Sequence, residues 1–155
     1  MRLTSFSDYA LRILLYAAGH GDARVTIEAA SDYFRISRAH VKKVVMTLTH
    51  AGFLKGFRGR SGGFELALAP EAINLGKVLR ATEPDFALFE CFQPGNECCI
   101  SRRCGLPTVA NEALRAFLAV FDRYSLADVQ LRPELFLGPA EHGVQPLRGP
   151  ILQAG

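Results

Sequence analysis

The sequence predicts a mainly α-helical protein with a small β-hairpin wing, that is, a winged helix-turn-helix followed by a long C-terminal helix. Apolar residues recur at helical spacing in residues 7–20, 38–52 and 107–124. A tight link at residues 35–37 joins the second and third predicted helices. Two strand-like runs, 53–54 and 64–68, flank a turn rich in glycine and arginine. Two helices, a tight link and a basic hairpin in this order are typical of a winged helix-turn-helix.

Residues that favour helix ends delimit the predicted helices. Short polar side chains that can accept a hydrogen bond from the first turn are the predicted N-caps: Ser7, Thr26, Ser37 and, for a further helix at 74–82, Asn74. Gly19 and Gly21 end the first helix, and Gly52 ends the third. The three helices before the hairpin therefore have clear boundaries in the sequence.

The long helix is predicted from Pro107, in its first turn, to Tyr124. Its large apolar residues form one stripe: Leu114, Phe117, Leu118 and Phe121. So small a chain leaves this stripe little to pack against, which predicts a partner subunit. From residue 132 onward there are four Pro and four Gly in 24 residues without periodicity, and we expect a flexible tail. The predicted division is 1–83 for DNA binding, 84–106 for a cysteine-rich loop, 107–131 for a dimerisation helix with the segment after it, and 132–155 for the tail.

Positive charge is concentrated in one part of the chain. Residues 35–60 contain seven Lys or Arg and no Asp or Glu, whereas the rest of the chain has more acidic than basic residues. A local basic patch of this kind is typical of a surface that binds nucleic acid. No stretch approaches the roughly 18 apolar residues of a membrane span, and the N-terminus lacks the layout of a signal peptide. We therefore expect a cytoplasmic protein that does not bind membranes.

The basic segment contains the candidate DNA contacts. In a helix-turn-helix the N-terminal residues of the second helix reach the base edges in the major groove. Arg38 is suited to bidentate recognition of guanine, and the hairpin glycines allow a wing arginine to approach the minor groove. The predicted contacts are Ser37, Arg38, His40 and Val41 to bases, Lys42 and Lys43 to phosphates, and Arg58, Gly59 and Arg60 from the wing.

All the cysteines of the chain lie within one polar loop. Cys91, Cys98 and Cys104 are separated by six and then five residues, and Cys99 adjoins the second. Thiolates suit iron–sulfur clusters and zinc, but the loop has neither a C-x2-C pair nor a nearby histidine, which zinc sites normally use. Cys99 is an alternative to Cys98 as the ligand. A metal-free thiol switch also remains open at this stage.

Several segments together resemble a known family. They are MRLTSFSDYALR, SRAHVKKVVMTL, AGFLKGFRGRSGGFELA, LRATEP, the cysteine loop and AFLAVFDRYSLADV. From Met1 to about Asp128 the chain resembles the winged-helix family of bacterial iron–sulfur transcriptional regulators of the NsrR, IscR and RirA types. The resemblance implies a homodimer that binds a palindromic operator in double-stranded DNA. It also implies a [4Fe–4S] cluster on three cysteines, with [2Fe–2S] as the alternative, and dimerisation through the long helix.

Within that family the chain is most similar to the nitric-oxide-sensitive repressors. FECF, the Cys-x5-Cys spacing and FDRYSLADV carry this similarity, together with Asp8, which the resemblance implies is a cluster ligand supplied by the other subunit. Pro107 occupies the position where IscR-type proteins carry a histidine ligand. Asp8 also suits a structural role, because it lies at a helix start, one turn before Arg12. The alternatives are an iron- or redox-responsive regulator, a metal-free thiol switch or, from another class, an electron carrier.

Overall fold

The computed structural model describes residues 3–59, 62–100 and 103–137. Its helices and strands follow in the order α1 (Ser5–Gly19), α2 (Ile27–Phe34), α3 (Arg38–His50), β1 (Leu54–Phe57), β2 (Gly63–Leu66), α4 (Leu75–Thr82), α5 (Leu106–Phe121) and α6 (Glu134–Leu137). Short 3-10 turns lie at Pro70–Ala72, Glu90–Phe92 and Ala127–Val129. The predicted fold class, mainly helical with a hairpin wing, is confirmed. In the part of the chain described, no helix is both long and apolar enough to cross a bilayer.

The helix-turn-helix is α2 and α3, and side-chain caps fix its geometry. The hydroxyl of Thr26 accepts a hydrogen bond from the Ala29 N–H at 3.0 Å, and that of Ser37 accepts one from His40 at 3.3 Å. Both predicted N-caps are confirmed. Between the helices Arg35 adopts a left-handed conformation with φ of 53°, which reverses the chain within two residues. The start of α3 is therefore held at a defined position relative to α2.

The first helix begins earlier than predicted. Its N-cap is Thr4, whose hydroxyl accepts a hydrogen bond from the Ser7 N–H at 3.4 Å. Ser7 lies inside the helix and is fully buried, with its hydroxyl 2.8 Å from that of Thr82 on α4. The prediction of Ser7 as N-cap was wrong, because Ser7 shares the buried face of α1 with Ala10 and Leu14 and finds its partner in another helix.

The core lies between α1, α3, α4 and the inner face of the hairpin. The strands pair antiparallel, with Leu54 opposite Leu66, and Phe64 points fully buried into the core. The strands begin and end at different residues from those predicted. The first begins one residue later, because Phe53 still donates its N–H to the Leu48 carbonyl at the end of α3. The residues buried from solvent include Ala10, Ile13, Leu14, Val41, Val44, Leu48, Leu54, Phe64, Ile73 and Val78.

The beginning of the segment expected to be a flexible tail is folded. Phe136 on α6 is buried, and its ring lies 5.5 Å from that of Tyr16 and 5.8 Å from that of Tyr33. The Tyr33 hydroxyl donates a hydrogen bond to the Leu135 carbonyl at 3.0 Å. The expectation of flexibility was therefore wrong for residues 132–137, where aromatic packing outweighs the helix-breaking composition. Residues 138–155 lie outside the described part of the chain.

Candidate nucleic-acid interface and cysteine loop

One face of α3 is buried and the opposite face is open to solvent. Arg38, Lys42, Met46 and Thr49 follow one another at helical spacing on the exposed side. The other predicted contacts, Ser37, His40 and Lys43, are exposed as well. Val41 is fully buried in the core. Its predicted contact with a base is wrong, because its side chain lies in the core and does not reach the surface.

Two of the basic side chains on α3 have partners within the protein. Arg38 forms an ion pair with Glu28 in the first turn of α2. The ammonium group of Lys43 lies 5.6 Å from the centre of the Phe6 ring on α1, which is within range of a cation–π attraction. The Nδ1 atom of His40 lies 3.0 Å from the Ser37 hydroxyl, within hydrogen-bond distance. These contacts order the start of α3, the helix that we call the reading helix.

The wing presents arginine at a glycine turn. Arg58 and Gly59 are exposed, and Gly59 has φ of 96°, a conformation that favours glycine. Gly62 donates its N–H to the Gly59 carbonyl at 2.9 Å. A Cβ at Gly62 would lie 2.8 Å from that same oxygen, so a side chain would disrupt the turn. Arg60, the other predicted wing contact, lies outside the described residues.

An open cleft of about 680 Å³ separates α3 from the wing. Lys42, Met46, Phe57 and Arg58 are among the residues that line it, and Met46 is 62% exposed. A large apolar side chain on the basic face is suited to the methyl group of thymine. Sequence reasoning missed Met46, although its place one helical turn after Lys42 was a usable signal.

A further cation at the wing was also missed. The Arg24 guanidinium stacks 3.8 Å from the centre of the Phe57 ring, and Glu65 lies 3.9 Å from both Arg24 and Lys55. Arg24 is in the connection between α1 and α2, which joins the hairpin through backbone hydrogen bonds of Val25. Nothing in the linear sequence links position 24 to the wing, because the contact arises from tertiary pairing.

The cysteine loop connects α4 to α5. Cys91, Cys98 and Cys104 are half-buried, whereas Cys99 is exposed. The Cys104 sulfur accepts the Leu106 N–H at 3.4 Å, at the first turn of α5. Hydrogen bonds to sulfur are among the means by which proteins tune iron–sulfur clusters. Three thiolates suit such a cluster in chemical type, and a fourth ligand would have to come from another residue.

This loop does not bring the predicted ligands together within one chain. Across residues 3–59, 62–100 and 103–137, no three Cys, His, Asp or Glu side chains converge on a point that suits a metal ion. Asp8, the predicted fourth ligand, instead forms a two-point ion pair with Arg12, with distances of 2.7 and 3.1 Å. About half of the Asp8 side chain remains exposed. Asp8 therefore has a structural role through its ion pair with Arg12, and its carboxylate remains accessible to a second subunit.

The loop starts at a point that is joined to α1. Glu83, directly after α4, accepts hydrogen bonds from the Thr4 N–H at 2.9 Å and the Thr4 hydroxyl at 3.1 Å. Immediately before it, Thr82 contacts the buried hydroxyl of Ser7. These two contacts connect the root of the cysteine loop to the helix that packs on α3.

The far end of α5 is joined to α4 by an ion pair. The Arg80 guanidinium donates two hydrogen bonds to the Asp122 carboxylate, at 2.5 and 2.8 Å. These hydrogen bonds, with the positive charge of Arg80, hold the pKa of Asp122 below its ordinary value. A Cβ on Gly76 would lie 2.0 Å from the Asp122 Oδ1, so a side chain there would displace the carboxylate and disturb its pairing with Arg80.

The long helix leaves an apolar seam uncovered. The stripe predicted to need a partner, which includes Phe117 and Phe121, is half-buried on its own chain. A second stripe is exposed and repeats with alternating spacings of three and four residues: Leu106, Val109, Ala113, Ala116 and Val120. Such a heptad pattern is typical of a helix that pairs with another helix. The small alanines at its centre permit close approach.

Comparison with known proteins agrees with this architecture. The model of the Rrf2 family, described as an iron-dependent transcriptional regulator, matches residues 3–131. The HTH-type transcriptional regulators NsrR of Bacillus licheniformis and Bacillus subtilis are each 44% identical to the chain over 131 residues. The matches cover 83% of this chain and 92% and 90% of those proteins. The solved structure of T. potens IscR shares the fold, with a TM-score of 0.64 at 21% identity over 83% of this chain and 85% of that one. The chain belongs to the Rrf2 family and is a transcriptional regulator rather than an enzyme.

Proposed function

We propose that the protein is a homodimeric repressor that binds a palindromic operator and senses nitric oxide through an iron–sulfur cluster. The observation that carries this proposal is the half-buried set Cys91, Cys98 and Cys104, on a loop whose root is hydrogen-bonded to the helix-turn-helix domain. The name NsrR of the relatives at 44% identity supports it. The cellular location we propose is the cytoplasm, where DNA and reduced thiols occur together.

Cys98 is proposed as the second ligand and Cys99 as an unliganded neighbour. Cys98 is half-buried, whereas Cys99 is exposed. A ligand thiolate must face the inner side of the loop, which the more buried of the two side chains does better. Asp8 from the second subunit is proposed as the weaker, oxygen ligand. The exposed seam that includes Val109 and Val120 would bring the two subunits together.

When bound, a [4Fe–4S] cluster would supply an iron atom, held by the weaker ligand, that reacts with nitric oxide. The chain would hold three thiolates on the loop and deliver a fourth ligand across the subunit interface. Loss of that ligation would free the loop between Glu83 and the start of α5. Since Glu83 holds Thr4, this change would reach α1 and, through it, the reading helix.

The direct test is the visible absorption of anaerobically purified protein during titration with nitric oxide. A coloured protein that a few equivalents of nitric oxide bleach, with parallel loss of operator binding, is the expected result. Bleaching by an iron chelator but not by nitric oxide would favour an iron-responsive regulator. A protein that stays colourless after anaerobic reconstitution with iron and sulfide would refute the cluster and favour a thiol switch.

Matched variants separate the roles of individual ligands. We expect Cys98→Ser to abolish the colour of the reconstituted protein and Cys99→Ser to retain it. Asp8→Asn should alter the spectrum and the response to nitric oxide, whereas Arg12→Met should not, although both break the same ion pair. Equal effects of these last two variants would show that Asp8 acts only through Arg12.

A further inference from the structure

The ion pair between Glu28 and Arg38 places a carboxylate at the start of the basic reading helix. Their side chains are 62% and 64% exposed, and exposed ion pairs contribute little to stability. A carboxylate on a surface that approaches phosphates also opposes binding by charge. Glu28 lies in the first turn of α2, where a carboxylate interacts favourably with the helix dipole. This accounts for an acidic residue at this position but not for its contact with Arg38.

The geometry of the two helix starts gives another reason. Thr26 caps α2 two residues before Glu28, and Ser37 caps α3 directly before Arg38. Glu28 contacts the Nη2 atom of Arg38. A guanidinium has five N–H donors arranged in two forks, Nε with Nη2 and Nη1 with Nη2. A single contact at Nη2 uses one of that atom's two N–H groups, so one fork remains for a second acceptor.

We propose that Glu28 is a positioning residue that sets the base specificity of Arg38. Bidentate recognition of guanine requires the guanidinium to lie in one plane and at one place in the groove. A free arginine side chain loses much conformational entropy when it is held there, and it can turn to a phosphate instead. The carboxylate of Glu28 restricts both motions. The ligand class is double-stranded DNA with a guanine in each half-site, and the inference rests on the proposed DNA-binding function.

The test compares the wild-type protein with Glu28→Gln on the same DNA. A pool of random-sequence duplexes of about 30 bp, which spans two half-sites, is first selected with the dimeric wild-type protein. Affinities are then measured for the selected duplex and for a scrambled duplex at one salt concentration. We expect the ratio of the two affinities to fall about fivefold or more in the variant. Binding to the scrambled duplex should stay equal or become tighter, because a repelling charge is gone.

Two further variants test whether Glu28 acts through its contact with Arg38. Asp32→Asn removes the same charge from the same helix and leaves the Glu28–Arg38 contact intact, so the affinity ratio should not change. In an Arg38→Ala background, Glu28→Gln should have no further effect on the ratio, because its only proposed route is through Arg38.

The outcomes distinguish this inference from the proposed function. An unchanged ratio of the two affinities in Glu28→Gln would show that the pair is only a solvated surface contact, and it would overturn the inference. An equal rise in both affinities would show that Glu28 merely competes with DNA for Arg38, which also overturns it. If the wild-type protein selects no sequence from the pool, the proposed DNA-binding function fails, and the inference fails with it.

Discussion

The packing of Phe136 on the helix-turn-helix domain predicts that the C-terminal segment stabilises the whole fold. The ring is only 7% exposed and lies against Tyr16 and Tyr33. Full burial of a phenylalanine contributes about 1.5–3 kcal/mol, and truncation to alanine adds the cost of the cavity. Because α6 is short and can collapse into the space, we expect Phe136→Ala to cost about 3 kcal/mol. For a chain of 155 residues this corresponds to a fall in Tm of about 6–12 °C.

A substitution at Gly19 provides an independent test of the packing of Phe136. A Cβ at this position would lie 2.3 Å from the Cδ2 of Phe136, so Gly19→Ala should displace the ring. In the Phe136→Ala background the ring that the Cβ would meet is gone, and the same substitution should instead stabilise the protein. Alanine in the interior of a helix is more favourable than glycine by about 0.5–1 kcal/mol, and this is an upper bound for Gly19, the last residue of α1. The effect of Gly19→Ala is therefore expected to change sign between the two backgrounds.

The assay is thermal or urea unfolding, monitored by far-ultraviolet circular dichroism at one protein concentration. It compares the wild-type protein, the two single variants Gly19→Ala and Phe136→Ala, and the double variant. Leu135→Ala serves as the control, because its side chain is 55% exposed and the Tyr33 hydrogen bond uses only its backbone carbonyl. That variant should change the free energy of unfolding by less than about 0.5 kcal/mol. Equal losses in Phe136→Ala and Leu135→Ala would refute the packing, as would additive effects of Gly19→Ala.

Two further predictions concern the connections between elements, and a third concerns the wing. Arg80→Met should return the pKa of Asp122 to its ordinary value, as measured by NMR titration. In the wild-type protein the pair stabilises the fold above about pH 4, and this contribution to stability is lost as the pH falls through the lowered pKa of Asp122. Glu83→Ala removes the carboxylate oxygen that accepts both hydrogen bonds from Thr4 and should destabilise the protein by about 1–2 kcal/mol, with faster amide exchange at the start of α1; unchanged exchange would contradict it. Arg58→Ala should weaken binding to all duplexes alike and lower the slope of log affinity against log salt by about 1 if it meets a phosphate.

The helices could be predicted from the sequence because their signals are local. Apolar periodicity places α1, α3 and α5, and the caps Thr26 and Ser37 are within three residues of the N–H groups that they bind. The hairpin follows from its glycine turn. The family resemblance likewise depends on short segments, and the family model extends over residues 3–131.

The errors arose where a distant residue decided the outcome. Thr4 and Ser7 are both good N-caps, and the choice depends on Thr82, which is 75 positions after Ser7. Phe136 lies in a segment of helix-breaking composition, yet it is buried by a ring on α1. Arg24 joins the wing only through tertiary pairing. Local composition carries no information about such partners.

The same long-range contacts determine how the cysteine loop can influence the reading helix. The loop is held at both ends: its root contacts α1 through Glu83 and Thr4, and the helix that follows it is joined back to α4 through Asp122 and Arg80. Under the proposed function, a change in loop conformation would reach α1 through the contact between Glu83 and Thr4. Since the buried face of α1 packs on α3, it would reach the reading helix across that shared core. The hydrogen bond between Thr4 and Glu83 spans 79 positions of sequence, and it fixes the root of the cysteine loop to the helix on which the basic helix packs.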